Sequence, residues 1–247
     1  MADSSGTDLL SLTDYRRMRE DMSLADGGPL GRLTVLSSTL LAELGHSAEQ
    51  PDGTELIDML AACRRHHEPA LVCLSHEGMV WPVTVFPAEM IYHSPRDVLS
   101  CPDRAMARLK VLSIEPAAVR PPGHWMRERV AAHELYRPLV PMLWSVALHG
   151  PSRHTLVPAI GGIAAYRVPR SLSTDGLSAP GALGAASERL RREPTSLRAV
   201  SQWPGMDLER GVRLLNALHL VSNLIVSRTH QAARAEPRSQ NARNRPV

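Results

Sequence analysis

The most constraining stretch of this 247-residue chain is Leu197 to Arg228, LRAVSQWPGMDLERGVRLLNALHLVSNLIVSR. Asp207 follows Gly205 and can cap a helix with its side chain, although Arg210 stands where a capping box would place Glu. From there Leu208, Val212, Leu215, Leu218 and Val221 recur at helical spacing, and Leu214 and Ala217 widen the apolar stripe. Glu209, Arg213 and Asn216 fall on the other stripe. Asn223 tolerates a left-handed C-terminal cap, and the β-branched run that follows, Leu224-Ile225-Val226, predicts a short strand. Upstream, Leu183–Arg192 and Thr195–Gln202 read as two shorter helices parted at Pro194. Helix, helix, longer helix, strand is the order of a winged helix-turn-helix, so the expected C-terminal domain is small, helical and winged-helix-like.

A helix that reads DNA needs one face of Arg, Lys, Asn and Gln to reach phosphates and base edges. This one offers Arg210, Arg213 and Asn216, diluted by Glu209. Its other positions are nearly all apolar, which suits a helix packed on most of its circumference. The chain carries a formal charge of +3, and Lys110 is its only lysine. Arginine bias together with abundant Ala, Leu, Pro and Gly reflects GC-rich codons before it reflects phosphate binding, and points to a bacterial source. Much of the clustered positive charge lies in Arg228–Val247, where Arg228, Arg234, Arg238, Arg243 and Arg245 face only Glu236. That segment lacks apolar periodicity and reads as a disordered basic tail able to touch phosphate backbones without specificity.

The chain is 43% apolar and 21% charged, the balance of a globular protein with room for one large domain or two small ones. Met1–Leu12 is acidic and polar, unlike a secretory signal. The longest apolar run, Leu139–Leu148, contains Pro141 and is far shorter than the roughly twenty residues of a membrane span. A cytoplasmic protein without membrane contact is expected. Cys63, Cys73 and Cys101 are odd in number and sparse, as in a reducing compartment.

The predicted order is an arm over 1–28, an α+β domain over 29–168, a linker over 169–182, the helical domain over 183–227, then the tail. Within the arm, Thr13 can cap a short charged helix. Helices are expected at Arg32–Leu44, stopping at Gly45, and at Glu55–His67. Ala70–Ser75 and Met79–Phe86 form a hairpin about His76-Glu77-Gly78, with Gly78 able to take positive φ. Pro82 argues for an edge or a bulge, because it cannot donate a ladder bond. A third strand is expected at Arg108–Ile114, a helix at His124–Tyr136, another opening around Pro141, and extended segments about Gly161-Gly162. The fold class is therefore α+β, with a small antiparallel sheet flanked by helices.

Candidate chemistry is sparse. Cys63, His66, His67 and Cys73 lack the paired knuckles of a structural zinc site, and imidazoles at a helix end suit its terminal carbonyls. Cys101-Pro102 reads as a turn. His124 and His133 would point to different sides of one helix. Gly161-Gly162 lacks the further Gly and Lys-Ser/Thr of a phosphate loop, no Gly-x-Ser-x-Gly elbow occurs, and the acidic residues are scattered. No catalytic residue, metal or cofactor is expected. Trp81, Trp125, Trp144 and Trp203 lie at element ends, as anchors of packing do. The pattern points to a non-enzymatic regulatory or adaptor protein with a protein partner. The alternatives are a DNA-binding regulator contacting its target through Arg210, Arg213, Asn216, Arg228 and Arg234, and an enzyme without a recognisable motif. No feature of the sequence sets an oligomeric state.

Overall fold

A computed structural model describes residues 9–25, 36–47, 55–169, 177 and 179–233. Two compact units are present, 1–153 and 154–247, and the fold is α+β. The N-terminal unit runs β1 (Leu10–Ser11), α1 (Leu12–Ala25), α2 (Ser38–Ser47), α3 (Glu55–His66), β2 (Ala70–His76), β3 (Met79–Phe86), β4 (Ile91–His93), α4 (Asp103–Met106), β5 (Lys110–Pro116), β6 (Tyr136–Pro138) and α5 (Leu139–His149). Its antiparallel sheet has the order β5-β2-β3-β4-β6, with β1 also paired to β3.

The hairpin expected from sequence forms: His76 pairs with Met79, and Glu77 and Gly78 take φ of 49° and 79°. Two positive φ values between paired residues make a two-residue turn whose twist matches the strands. Pro82 does not mark an edge strand, because β3 lies between β2 and β4. It is tolerated because β1 pairs with β3 only at 79–80 and β4 only at 84–86, so one side of the strand is open at 81–83. Alternation along the hairpin separates two faces. Ala70, Val72, Leu74, Trp81, Val83 and Val85 are buried on one, while Leu71, Cys73, Val80 and Pro82 share the other with α1.

The described part of the arm is therefore docked. Tyr15 is buried and joins the Cys73–Val80 cluster, and the Leu12 N–H donates to the Gly78 carbonyl at 2.8 Å. Helix α2 begins at Ser38 and passes through Gly45, later on both counts than the expected Arg32–Leu44; residues 32–35 lie outside the described set. Helix α3 ends as its basic, histidine-rich terminus suggested. His67 takes φ 51°, and Glu68 N–H donates back to the Cys63 carbonyl at 3.1 Å, closing the last turn. Strand β5 starts two residues later than expected, and its register with β2 slips between Cys73 and Leu74. Pro141 sits at the third position of α5, where its missing N–H would have no helical partner. The unit closes on Arg153, buried and paired with Asp58 of α3 at 2.8 Å.

The expected helix at His124–Tyr136 is absent. Two short 3₁₀ turns, Arg127–Arg129 and His133–Leu135, lead into β6 instead. The segment has no continuous apolar stripe to bury, and its backbone groups find partners along the loop.

The C-terminal unit comprises β7 (Ala165–Arg167), α6 (Ala182–Arg192), β8 (Thr195–Ser196), α7 (Leu197–Val200), α8 (Leu208–Leu220) and β9 (Ile225–Ser227). Strand β7 is central in a three-stranded antiparallel sheet of order β8-β7-β9, so residues 154–168 belong with this unit and not with the N-terminal domain. Of the expected linker, residues 170–176 and 178 lie outside the described set, and α6 begins at Ala182. Thr195, expected in a helix, pairs with Tyr166 in β8, and Ser196 caps the one-turn α7.

Asp207 caps α8 as expected, accepting the Arg210 N–H at 2.7 Å. Gly205 precedes it at φ 73°, and a Cβ there would meet the Ala182 Cβ at 2.8 Å, so the Trp203-Pro204-Gly205 turn requires glycine. Val212, Leu214, Leu215, Ala217, Leu218 and Val221 are buried, whereas Leu208, expected on this stripe, is 51% exposed. The left-handed C-terminal residue is Ser222 at φ 59°, one residue before the expected Asn223. Ser222 N–H donates to the His219 carbonyl and Asn223 N–H to that of Leu218, which satisfies the last turn before β9.

Candidate functional site

Helix α8 and its surroundings carry the residues that sequence nominated for contact. Arg210 is exposed, and its guanidinium donates to the Gly205 carbonyl, folding the side chain back over the helix start. Arg213 is half-buried and paired with Glu209 at 3.1 Å one turn earlier. Asn216 was expected on the outer face and is instead 0% exposed. Its side-chain oxygen accepts the Val157 N–H at 3.0 Å and its amide donates to the Thr155 carbonyl at 3.3 Å, so residues 155–157 lie over this part of α8.

Arg228, expected to open a disordered tail, donates to the carbonyls of Gly161 at 2.9 Å and Ala159 at 3.4 Å. The described chain continues through a 3₁₀ turn at Gln231–Ala233, where Ala233 is buried. Arg234 and the rest of the tail lie outside the described residues. The four described residues of this set, Arg210, Arg213, Asn216 and Arg228, therefore form no continuous exposed strip.

The polar groups of the N-terminal unit bear on catalysis. Arg19 donates to Glu115 Oε1 at 2.8 Å, Ser113 Oγ donates to the same oxygen at 2.9 Å, and Tyr15 joins the chain through Ser113 at 2.7 Å. Ser113 has a carboxylate, a phenol and the Cys73 thiol as neighbours, and among the described residues no imidazole is bonded to it. Burial pushes the Tyr15 phenol and the Cys73 thiol above their ordinary values. Burial raises Cys101 as well, and raises Cys63 to about 12. All three thiols are thus held protonated near neutral pH, the opposite of an activated nucleophile.

The candidate ligands around Cys63 have separate partners. Cys63 is buried in α3, His66 Nε2 lies 2.9 Å from Glu43, and Cys73 faces Tyr15. Among the described residues no group of three or more His, Cys, Asp or Glu is placed to hold a metal ion. No helix among them is long and apolar enough to cross a membrane.

The feature that sequence reasoning missed is the loop between β5 and β6. Trp125 stands at its tip, 80% exposed, stacked on His124 and followed by exposed Arg127 and Arg129. The base of the loop is tied. Arg120 N–H donates to the Arg129 carbonyl at 2.8 Å, and Arg120 and Val130 form an isolated parallel bridge. Tyr136 then crosses the base, its hydroxyl accepting the Ala131 N–H at 2.9 Å and donating to the Arg120 carbonyl. At the tip, Met126 N–H donates to His124 Nδ1 and Arg127 N–H to the Trp125 carbonyl, so the backbone around the indole is fixed. Pro121-Pro122-Gly123 was the available signal, a rigid turn separated from a tryptophan by His124 alone. The chain matches no family model and no curated protein or solved structure.

Proposed function

We propose that this chain is a non-enzymatic regulatory or adaptor protein of the bacterial cytoplasm that works by binding another protein. The observation that carries the reading is Trp125, held out at 80% exposure on a loop tied at base and tip. Leaving an indole in water forfeits its burial energy, and ordering the loop before contact lowers the entropy cost of association. Tryptophan and arginine together are the residues that dominate binding energy at protein interfaces, and Arg127 and Arg129 flank this one. The protonated thiols and the mutually paired Arg19, Glu115, Ser113 and Tyr15 support binding over catalysis.

The order α6, α7, α8, β9 favours a second reading, a DNA-binding regulator built on a winged-helix-like C-terminal unit. Against it stand the segment 155–157 over Asn216, the Glu209 carboxylate on Arg213 and the carbonyls that occupy Arg228. In our reading the winged-helix-like unit serves packing, and any DNA affinity is weak, independent of sequence and lost with added salt.

The test is affinity capture from the native host with full-length protein beside Trp125→Ala. One protein enriched by the parent chain and depleted about tenfold or more in the variant is expected, since a central aromatic anchor costs ~2 kcal/mol or more when truncated. Identical capture by both chains, or enrichment of nucleic acid alone, would overturn the proposal.

A further inference from the structure

The loop that carries Trp125 is fastened at its base by Tyr136, and Tyr136 lies against a histidine. His93 of β4 stands opposite Thr84 on one side and Tyr136 on the other, so the three side chains share one face of the sheet. The His93 and Tyr136 rings are 5.2 Å apart at 55°, and from there the phenol reaches the Ala131 N–H and the Arg120 carbonyl. Lifting the loop base takes Tyr136 off His93. Whatever disfavours the covered state of His93 therefore loosens the loop.

The covered imidazole is a poor place for a positive charge. Its Nε2 is buried and has no hydrogen-bond partner among the described residues. Burial pushes the ring below its ordinary value, and the Arg137 charge pushes the same way. Arg137 is held where it is, its guanidinium donating to the Ser94 carbonyl at 2.9 Å and to the Leu135 carbonyl at 3.2 Å. Asp97, which Arg137 approaches at 3.9 Å, is engaged by the Tyr92 hydroxyl at 2.7 Å and the Leu99 N–H at 2.9 Å. Thr84 brings no charge from β3. His66, His76 and His149 have carboxylates beside them, whereas among the described residues His93 has none. Phenylalanine would fill the same space without leaving a buried nitrogen unpaired.

We propose that His93 is an acid-sensitive latch: neutral, it lies under Tyr136 and lets the loop base stay tied; protonated, it takes water in place of Tyr136, and the loop carrying Trp125 comes loose. Because the covered ring is the weaker base, the open loop takes the proton first. Closure is full above the ordinary imidazole value of 6.5 and is lost as pH falls below it, by at most about tenfold per pH unit for one proton. Two further imidazoles, His124 and His133, belong to the loop itself, with Glu128 and Glu134 beside them. The effect on Trp125 rests on the adaptor reading; the latch is tested without a partner.

Amide hydrogen exchange of the full-length chain alone, taken as protection relative to each amide's intrinsic rate at the same pH, makes that test. From about pH 7.5 to about pH 5.5 the Ala131 and Arg120 amides, which close the loop base, lose protection about three- to tenfold. The Val72 and Val83 amides in the middle of the hairpin keep theirs within about twofold. His93→Phe removes the response, and His93→Gln does so too should the aromatic variant fold poorly; His124→Gln with His133→Gln leaves it in place. Unchanged protection at Ala131 and Arg120 overturns the proposal. An equal loss in the hairpin, a response that survives at His93 variants, or one that vanishes with His124 and His133 overturns it as well. A failed capture through Trp125 counts against the adaptor reading and leaves the exchange result standing.

Discussion

Replacing Asn216 by alanine separates an interior anchor from a surface contact, because the residue sits in the middle of α8 with no exposed area. The substitution removes two hydrogen bonds whose partners lie about sixty positions upstream, to Val157 N–H at 3.0 Å and Thr155 C=O at 3.3 Å. Val157 is itself buried, so its orphaned N–H carries a desolvation cost of ~1–3 kcal/mol. Thr155 is exposed and water can replace its longer bond, adding only ~0.5 kcal/mol. The expected loss is ~1.5–3.5 kcal/mol, which lowers the melting temperature of a unit this size by ~6–28 °C.

Leu208→Ala is the control from the same helix. Its side chain is 51% exposed, so the substitution costs less than ~0.5 kcal/mol and its melt should fall by less than ~4 °C. Calorimetry of both variants, with hydrogen exchange followed at the Val157 amide, gives the comparison. An Asn216→Ala melt within a degree or two of the parent, with the Val157 amide still protected, would refute the packing described for 155–157.

Three further outcomes are expected. Leu215→Ala and Leu218→Ala each destabilise the C-terminal unit by ~2–5 kcal/mol in a chemical melt, while exposed Leu208→Ala changes it by less than ~0.5 kcal/mol. Burial raises Cys63 from 9.0 to about 12, so the unfolded chain releases this proton first; stability present below pH 9 is lost as pH rises from 9 towards 12, by at most ~4 kcal/mol. Urea melts across that range, flattened by Cys63→Ala, check the sign. Tyr136→Phe unties the loop base at Ala131 and Arg120 and raises tryptic cleavage after Arg127 and Arg129 about 5–30-fold, the population change expected from ~1–2 kcal/mol of lost local stability.

What the sequence disclosed was local. The Asp207 cap, the apolar run from Val212 to Val221, the strand after Asn223 and the turn at Gly78 each depend on residues within a few positions of one another. Their elements formed close to where they were expected. Residues that depend on distant partners were misread. Asn216 looked like a solvent residue because its partners at 155–157 are far away in sequence, and Arg228 looked like tail because the carbonyls of Ala159 and Gly161 are equally distant. Strand β7 was grouped with the wrong domain because its pairing strands begin about thirty residues later. The helix expected at His124–Tyr136 failed for a different reason. Its polar pattern satisfied no apolar face, and the cross-loop bonds of Tyr136 outweighed the local preference.

The claim that this chain meets a protein through its tied loop, and does not read DNA through α8, is tested most directly by photo-crosslinking in the native host. Benzoylphenylalanine is placed in the full-length chain at the Trp125 position or at the Arg210 position, both of them exposed. The account predicts a discrete protein adduct from position 125, without sequence-specific DNA adducts from position 210. DNA adducts from position 210 enriched in one defined sequence, with none to protein from position 125, would contradict it.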